Sequence, residues 1–154
     1  MDKKTRYEQL LPQISALIEG ESDEISILAN VSAALHEAFD DFLWTGFYLV
    51  CQGELRLGPF QGSVACMHIA HGRGVCGTAW AEACSVVVPD VLQFPGHIAC
   101  SALSRSEIVV PLFRADGTVA GVLDIDSAQF NTFDDTDRHY LEQLARLLTA
   151  TLYG

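Results

Sequence analysis

The chain has 154 residues, 49% of them hydrophobic and 19% charged, a length and composition that suit one compact domain able to bury most of its apolar surface. Nine Lys and Arg against twenty Asp and Glu leave a formal charge of -11, so nucleic acid and acidic membrane surfaces would be repelled over most of the protein. The opening MDKKTRYEQLLPQIS has no continuous apolar stretch of the kind a secretion signal needs, and no later segment approaches a membrane span, which makes the cytoplasm the expected compartment and 1–154 a single expected domain.

In chain order, Leu10, Leu11, Ile14, Leu17 and Ile18 recur at helical intervals from Thr5 onward, with Pro12 limiting where that helix starts or kinking it. Beyond Gly20, Ser22 precedes the acids Asp23 and Glu24, and Ile25, Leu28, Ser32, Leu35 and Phe39 follow at helical spacing, which predicts a capped amphipathic helix. From Trp44 the period shortens to two. WTGFYLVC, Gln52-Gly53-Glu54 and LRLGPFQG read as two strands joined by a turn. VACMHIAH reads as a strand, HGRGVCGTAWAEA as a glycine-led loop entering a short helix, CSVVVPD as a buried strand, and VLQFPGHIACSALSR as a long loop with its own Pro-Gly turn. SEIVVPLFR and TVAGVLDIDS are two strands around Asp116-Gly117. Asp134 caps a closing helix with Leu141, Leu144, Ala145, Leu148 and Leu152 in one stripe. This order predicts an α+β domain with a mostly antiparallel central sheet.

Counted outward from a two-residue turn at Asp116-Gly117, Glu107 faces Asp126 and Val109 faces Asp124. The period of two then gathers Glu107, Asp124 and Asp126 on one face of the hairpin. The other face, Ile108, Val110, Leu112, Leu123 and Ile125, has no polar interruption and must pack on helices. The acidic face also carries Pro111, Phe113, Ala120 and Val122, company that argues against plain solvation. Like charges directly opposite cost roughly 0.2–1 kcal/mol, and burial raises at least one of their pKa values, so the cluster is suited to bind a cation and to donate a proton.

The five cysteines are too few for a secreted disulfide scaffold, which leaves packing, metal binding or redox chemistry. Cys66, Cys76 and Cys100 lie among His68, His71 and His97. Their spacing matches neither paired C-x2-C knuckles nor an H-E-x-x-H helix, so no metal is expected. Cys51 and Cys84, at strand ends beside Val50 and Val86, read as small core residues. Cys100 follows a Pro-Gly-His turn in the long loop, where a thiol is reachable. Loop N–H groups or His97 would favour its thiolate while the acids oppose it, and His97 reads equally well as a surface residue. Cys76, at the start of the short helix, is expected to have its pKa lowered by the helix N-terminus. Trp44, Gly46 and Tyr48 share one side of the first strand, as core or as a pocket wall for methyl and ammonium groups.

Together the segments WTGFYLV, LGPFQG, VACMHIAHGRGVCGTAW, FPGHIACSALSRSEIVVPL and GVLDIDS resemble the free methionine-(R)-sulfoxide reductases, single GAF-domain enzymes, over nearly the whole chain. The resemblance implies a GAF-like sheet with the N-terminal and C-terminal helices on one face and the substrate pocket on the other. It implies thiol-dependent reduction of free L-methionine-(R)-sulfoxide to L-methionine. In that scheme Cys100 is the nucleophile, Cys66 the resolving cysteine that forms a disulfide with it, and Cys76 an auxiliary in recycling. Glu107, Asp124 and Asp126 match the carboxylates that hold the amino acid and polarise its sulfoxide. Trp44 and Tyr48 match pocket aromatics, Trp44 against the S-methyl group, and Ile98 and Ala99 lie beside Cys100 as loop contacts. The resemblance further implies a thioredoxin-type dithiol as reductant, no metal or organic cofactor, and pairing into a homodimer through the terminal helices. Two rival readings are a regulatory GAF module that binds a small ligand and a zinc-stabilised fold.

Overall fold

The computed structural model describes residues 1–97 and 102–154. In chain order these form helices α1 (Lys3–Ile18) and α2 (Glu24–Ala38), strands β1 (Trp44–Cys51), β2 (Glu54–Gln61) and β3 (His68–Ala70), helix α3 (Gly74–Glu82) and strand β4 (Val86–Val88). A short 3-10 turn (Val91–Gln93), strands β5 (Ser106–Phe113) and β6 (Val119–Ser127), and helix α4 (Asp135–Leu152) follow. The six strands make one antiparallel sheet in the order β3-β2-β1-β6-β5-β4. The architecture is α+β, as the pattern predicts. No helix among the described residues is long and apolar enough to cross a membrane.

The helices begin where short polar side chains meet orphan N–H groups. Asp2 caps α1, accepting from the Thr5 N–H at 2.8 Å, so the helix starts ahead of the expected Thr5. Pro12 sits inside it. The lost backbone hydrogen bond, worth part of the ~3 kcal/mol an interior proline costs, is outweighed by burial of Tyr7, Leu10, Ile14 and Ile18. In α2 the cap is Asp23 rather than Ser22, and the buried stripe is Ile27, Leu28, Val31, Ser32 and Leu35, which leaves Ile25 exposed. Asp134 and Asp137 form a capping box on α4. Buried Asp137 also accepts from the Tyr7 hydroxyl and the Lys3 ammonium, each at 2.6 Å, and so ties α1 to α4.

The hairpin β5–β6 has the expected register but reaches it another way. Glu107 faces Asp126 and Val109 faces Asp124. The turn, however, is closed by the Arg114 N–H to the Thr118 carbonyl at 2.7 Å with Gly117 at φ 88°, a loop one residue longer than Asp116-Gly117 alone. A bulge between Leu112 and Phe113, with Ala120 as the extra residue on β6, removes that residue from the count. Two opposite shifts therefore cancel.

Elsewhere the strands are shorter than the pattern suggests. From VACMHIAH only His68–Ala70 pairs, while Val64 and Met67 are exposed, and from CSVVVPD only Val86–Val88 pairs. Cys51 and Cys84 are exposed, which corrects their reading as core residues: both sit where a strand or helix ends and turns outward. The sheet separates two apolar clusters. Ile108, Val110, Leu112, Leu123 and Ile125 pack with α1, α2 and α4 on one face. Trp44, Tyr48, Val109 and Val122 pack with Val75, Cys76 and Ala79 of α3 on the other.

Candidate active site

The α3 face of the sheet holds a cleft of about 550 Å³, including the solvent at its mouth, into which Trp44 and Tyr48 from β1, Glu107 from β5, Asp124 and Asp126 from β6, and Cys76 from α3 all project. The sheet order explains the gathering. In β1, Trp44 lies beside Asp126 and Gly46 beside Asp124, so aromatic and acidic residues alternate across neighbouring strands. Gly46 is required here, because a Cβ would lie 2.3 Å from the Phe60 Cβ and 2.9 Å from the Trp44 ring. Trp44 stacks against Phe60 and Tyr48, with ring centroids 5.1 and 5.9 Å away, and its Nε1–H donates to the Ser63 carbonyl at 3.0 Å. The Tyr48 hydroxyl donates to the Cys66 carbonyl at 2.9 Å. The two aromatic side chains thus hold the 63–66 loop at the cleft.

The carboxylates are withdrawn from water, Glu107 with 6% and Asp124 with 5% of its surface exposed. Asp126 is half-buried and accepts from the Ser104 hydroxyl at 3.1 Å. Burial pushes Glu107 well above the usual carboxylate range, and the charges of Asp124 and Asp126 push it further. Burial, then the charge of Asp124, does the same to Asp126, against the pull of the Ser104 hydroxyl. Asp124 is also raised by burial, but the protons of Glu107 and Cys76 and the charge of His97 work in the other direction. The cluster therefore retains protons at a pH where isolated carboxyls have none. Asp124 is the member best placed to be ionised, and its Oδ1 is buried with no hydrogen-bond partner among the described residues.

Cys76 does not have the expected depressed pKa. The thiol is buried, and burial followed by the charges of Asp124, Glu107 and Asp126 drives it well up. The N-terminus of α3, whose Arg73 makes no side-chain cap, does not offset three neighbouring acids. His97 does line the cleft, where burial lowers its pKa against the opposing charge of Asp124. Cys66 is half-buried, with Val64 and Met67 on either side exposed, and it is disulfide-bonded, whereas Cys51, Cys76 and Cys84 are free. Ile98, Ala99 and Cys100 lie outside the described residues. His68 and His71 stay away from the cleft: His68 pairs with Glu54, and His71 meets the edge of Trp80. Val64, Ala65, Arg73 and Ser104 also line the cleft. Sequence reasoning missed these four, and only the GRG ahead of α3 offered any signal for one of them.

The GAF domain model matches residues 21–152. "Free methionine-R-sulfoxide reductase" of Escherichia coli (strain K12) is 47% identical over 152 residues, covering 99% of this chain and 92% of that protein. "GAF domain-containing protein A" of Dictyostelium discoideum is 56% identical over 147 residues, with 95% and 92% covered. The X-ray structure of free methionine-R-sulfoxide reductase from Neisseria meningitidis in complex with its substrate matches with TM-score 0.95 and 53% identity, over 98% of this chain and 90% of that one. The chain belongs to the free methionine-R-sulfoxide reductases, a GAF-domain family of oxidoreductases. In this reductase fold the acid-and-aromatic cleft lies on the sheet face opposite α1, α2 and α4.

Proposed function

We propose that the protein reduces free L-methionine-(R)-sulfoxide to L-methionine, with Cys100 as nucleophile and Cys66 as resolving cysteine. The observation that carries this reading is the cluster of proton-retaining buried carboxyls against an aromatic wall. A sulfoxide oxygen is a poor leaving group until protonated, and Glu107 or Asp126 supplies that proton. Asp124, with an unpartnered buried oxygen, accepts the substrate ammonium, and Trp44 packs on the S-methyl group. Tyr48 forms the wall between them, and the backbone at Ile98 and Ala99 receives the substrate carboxylate.

The Cys100 thiolate attacks sulfur, the oxygen and a proton pass to Cys100 as a sulfenic acid, and methionine leaves with the electron pair. The Cys66 thiol condenses with the sulfenic acid, releasing water and forming a disulfide. That Cys66 is disulfide-bonded while Cys51, Cys76 and Cys84 are free thiols supports the pairing. A thioredoxin-type dithiol then reduces the disulfide by exchange, with Cys76 as an auxiliary in recycling. The chemistry needs neither a metal nor an organic cofactor. The same reading takes residues 1–154 as one domain, in the cytoplasm, paired as a homodimer through the terminal helices.

Cysteine variants test the scheme. Cys100→Ser should form no methionine even in a single turnover, whereas Cys66→Ser should release about one methionine per chain and then stall with thioredoxin as reductant. Sustained thioredoxin-driven cycling in Cys66→Ser would overturn the role given to Cys66.

A further inference from the structure

We infer that the floor of the cleft is a zinc site made of Cys76 Sγ and the carboxylates of Glu107 and Asp124, and that zinc bound there excludes the substrate ammonium. The second clause rests on the function proposed above, and the first does not. One ligand atom from each residue lies within 4.8 Å of the other two. Zinc with sulfur at about 2.3 Å and oxygen at about 2.1 Å separates tetrahedral ligands by roughly 3.4–3.6 Å, so shifts of about an ångström close the set. The three residues come from α3, β5 and β6, elements packed on one another, so their proximity is set by the fold. They are 4%, 6% and 5% exposed.

A second observation points to a cation. Asp124 Oδ1 is buried and lacks a hydrogen-bond partner among the described residues, an arrangement that costs stability until a proton donor or a metal meets it. The donor set selects the metal. A thiolate beside two carboxylates suits a borderline ion such as zinc, or its softer relative cadmium, better than magnesium or calcium, which take all-oxygen shells. Coordination releases the Cys76 proton and any proton held by Glu107. With three protein ligands the fourth position opens into the cleft. Spacing alone could not join this set: the cysteine and histidine pattern draws attention to Cys66, Cys76, Cys100, His68, His71 and His97, and the hairpin register to Glu107, Asp124 and Asp126, whereas Cys76 meets the two acids only through the packing of α3 on the sheet.

The deciding experiment uses the full chain carrying Cys51→Ser, Cys66→Ser, Cys84→Ser and Cys100→Ser, which leaves Cys76 as the single thiol, stripped of metal and titrated with cadmium. Uptake of about one cadmium per chain with a thiolate-to-cadmium charge-transfer band is expected. Adding Asp124→Asn or Glu107→Gln, each close in size to the native residue, should weaken binding at least tenfold, since even outer-shell changes cost about 10–100-fold. Absence of the band, or unchanged affinity in both acid variants, would overturn the site. Free methionine should weaken cadmium binding to this chain, and no effect of methionine would overturn the exclusion of substrate. In wild type kept reduced by a phosphine, zinc should arrest turnover and a chelator should restore it. Wild type that never reduces methionine sulfoxide while the Cys76-only chain binds cadmium would refute the proposed function and leave the metal site standing.

Discussion

Glu107 and Asp126 face each other across β5 and β6, and both retain protons because they are withdrawn from water, Glu107 fully and Asp126 in part, next to Asp124. Asp126→Asn and Glu107→Gln keep the size of the side chain and remove a charge conflict, so the thermal midpoint should hold or rise. Loss of the proposed proton donor should nevertheless lower kcat by about 10²-fold or more. Asp124→Asn should act mainly through a raised KM, because it removes the proposed ammonium acceptor. Steady-state kinetics of the three variants check both statements, and three unchanged profiles would remove the carboxylates from the mechanism. The pH dependence has a definite sign. In the unfolded chain these carboxyls titrate near their ordinary values of 4.5 and 3.8, whereas folding raises both. A raised folded value contributes stability that is complete below the unfolded value and is lost as pH rises through the folded one. The midpoint of wild type should therefore fall between acid pH and the alkaline side of neutrality, and fall less in Glu107→Gln and Asp126→Asn. Thermal melts across that range decide it, a parallel set of curves being the contrary result.

Among the elements, α1 and α4 are joined by buried Asp137, which accepts from Tyr7 and Lys3 and closes the capping box of α4. Asp137→Ala would leave the Tyr7 hydroxyl buried without a partner and uncap the helix. It should cost about 2–4 kcal/mol in urea denaturation, with the kinetics of the folded fraction unchanged because the network lies on the far side of the sheet. Helices and long strands could be read from the sequence because their signals are local: the stripe of α4, the cap at Asp134, and the alternation in WTGFYLVC and SEIVVPL. The facing of Glu107 and Asp126 was legible for the same reason, although a longer turn and a bulge at Ala120 reached that register together. What could not be read depends on contacts distant in sequence. Pro12 inside α1 is tolerated because of what the helix buries, β3 and β4 end where their neighbours stop pairing, and the Cys76 thiol is governed by acids on β5 and β6 rather than by its own helix. Ser104 joins the cleft through chain folding alone.

At the scale of the molecule, one face of the sheet is spent on packing three helices, and the other is left to a small cleft with acids at its floor and aromatics at its wall. On the proposed reading the cleft holds the free amino acid by both charged ends, so methionine sulfoxide within a peptide, its amine and carboxyl blocked, should not be reduced. Mass spectrometry of the peptide after long incubation reads this out, and substantial reduction would mark a protein-repair activity instead. The central claim is stereospecific reduction of the free amino acid, and the measurement that bears on it most directly is methionine formed from separated R and S epimers of free methionine sulfoxide with dithiothreitol as reductant. Membership of the free methionine-R-sulfoxide reductases predicts that the R epimer is converted and the S epimer is left intact, and equal loss of both epimers would contradict the account.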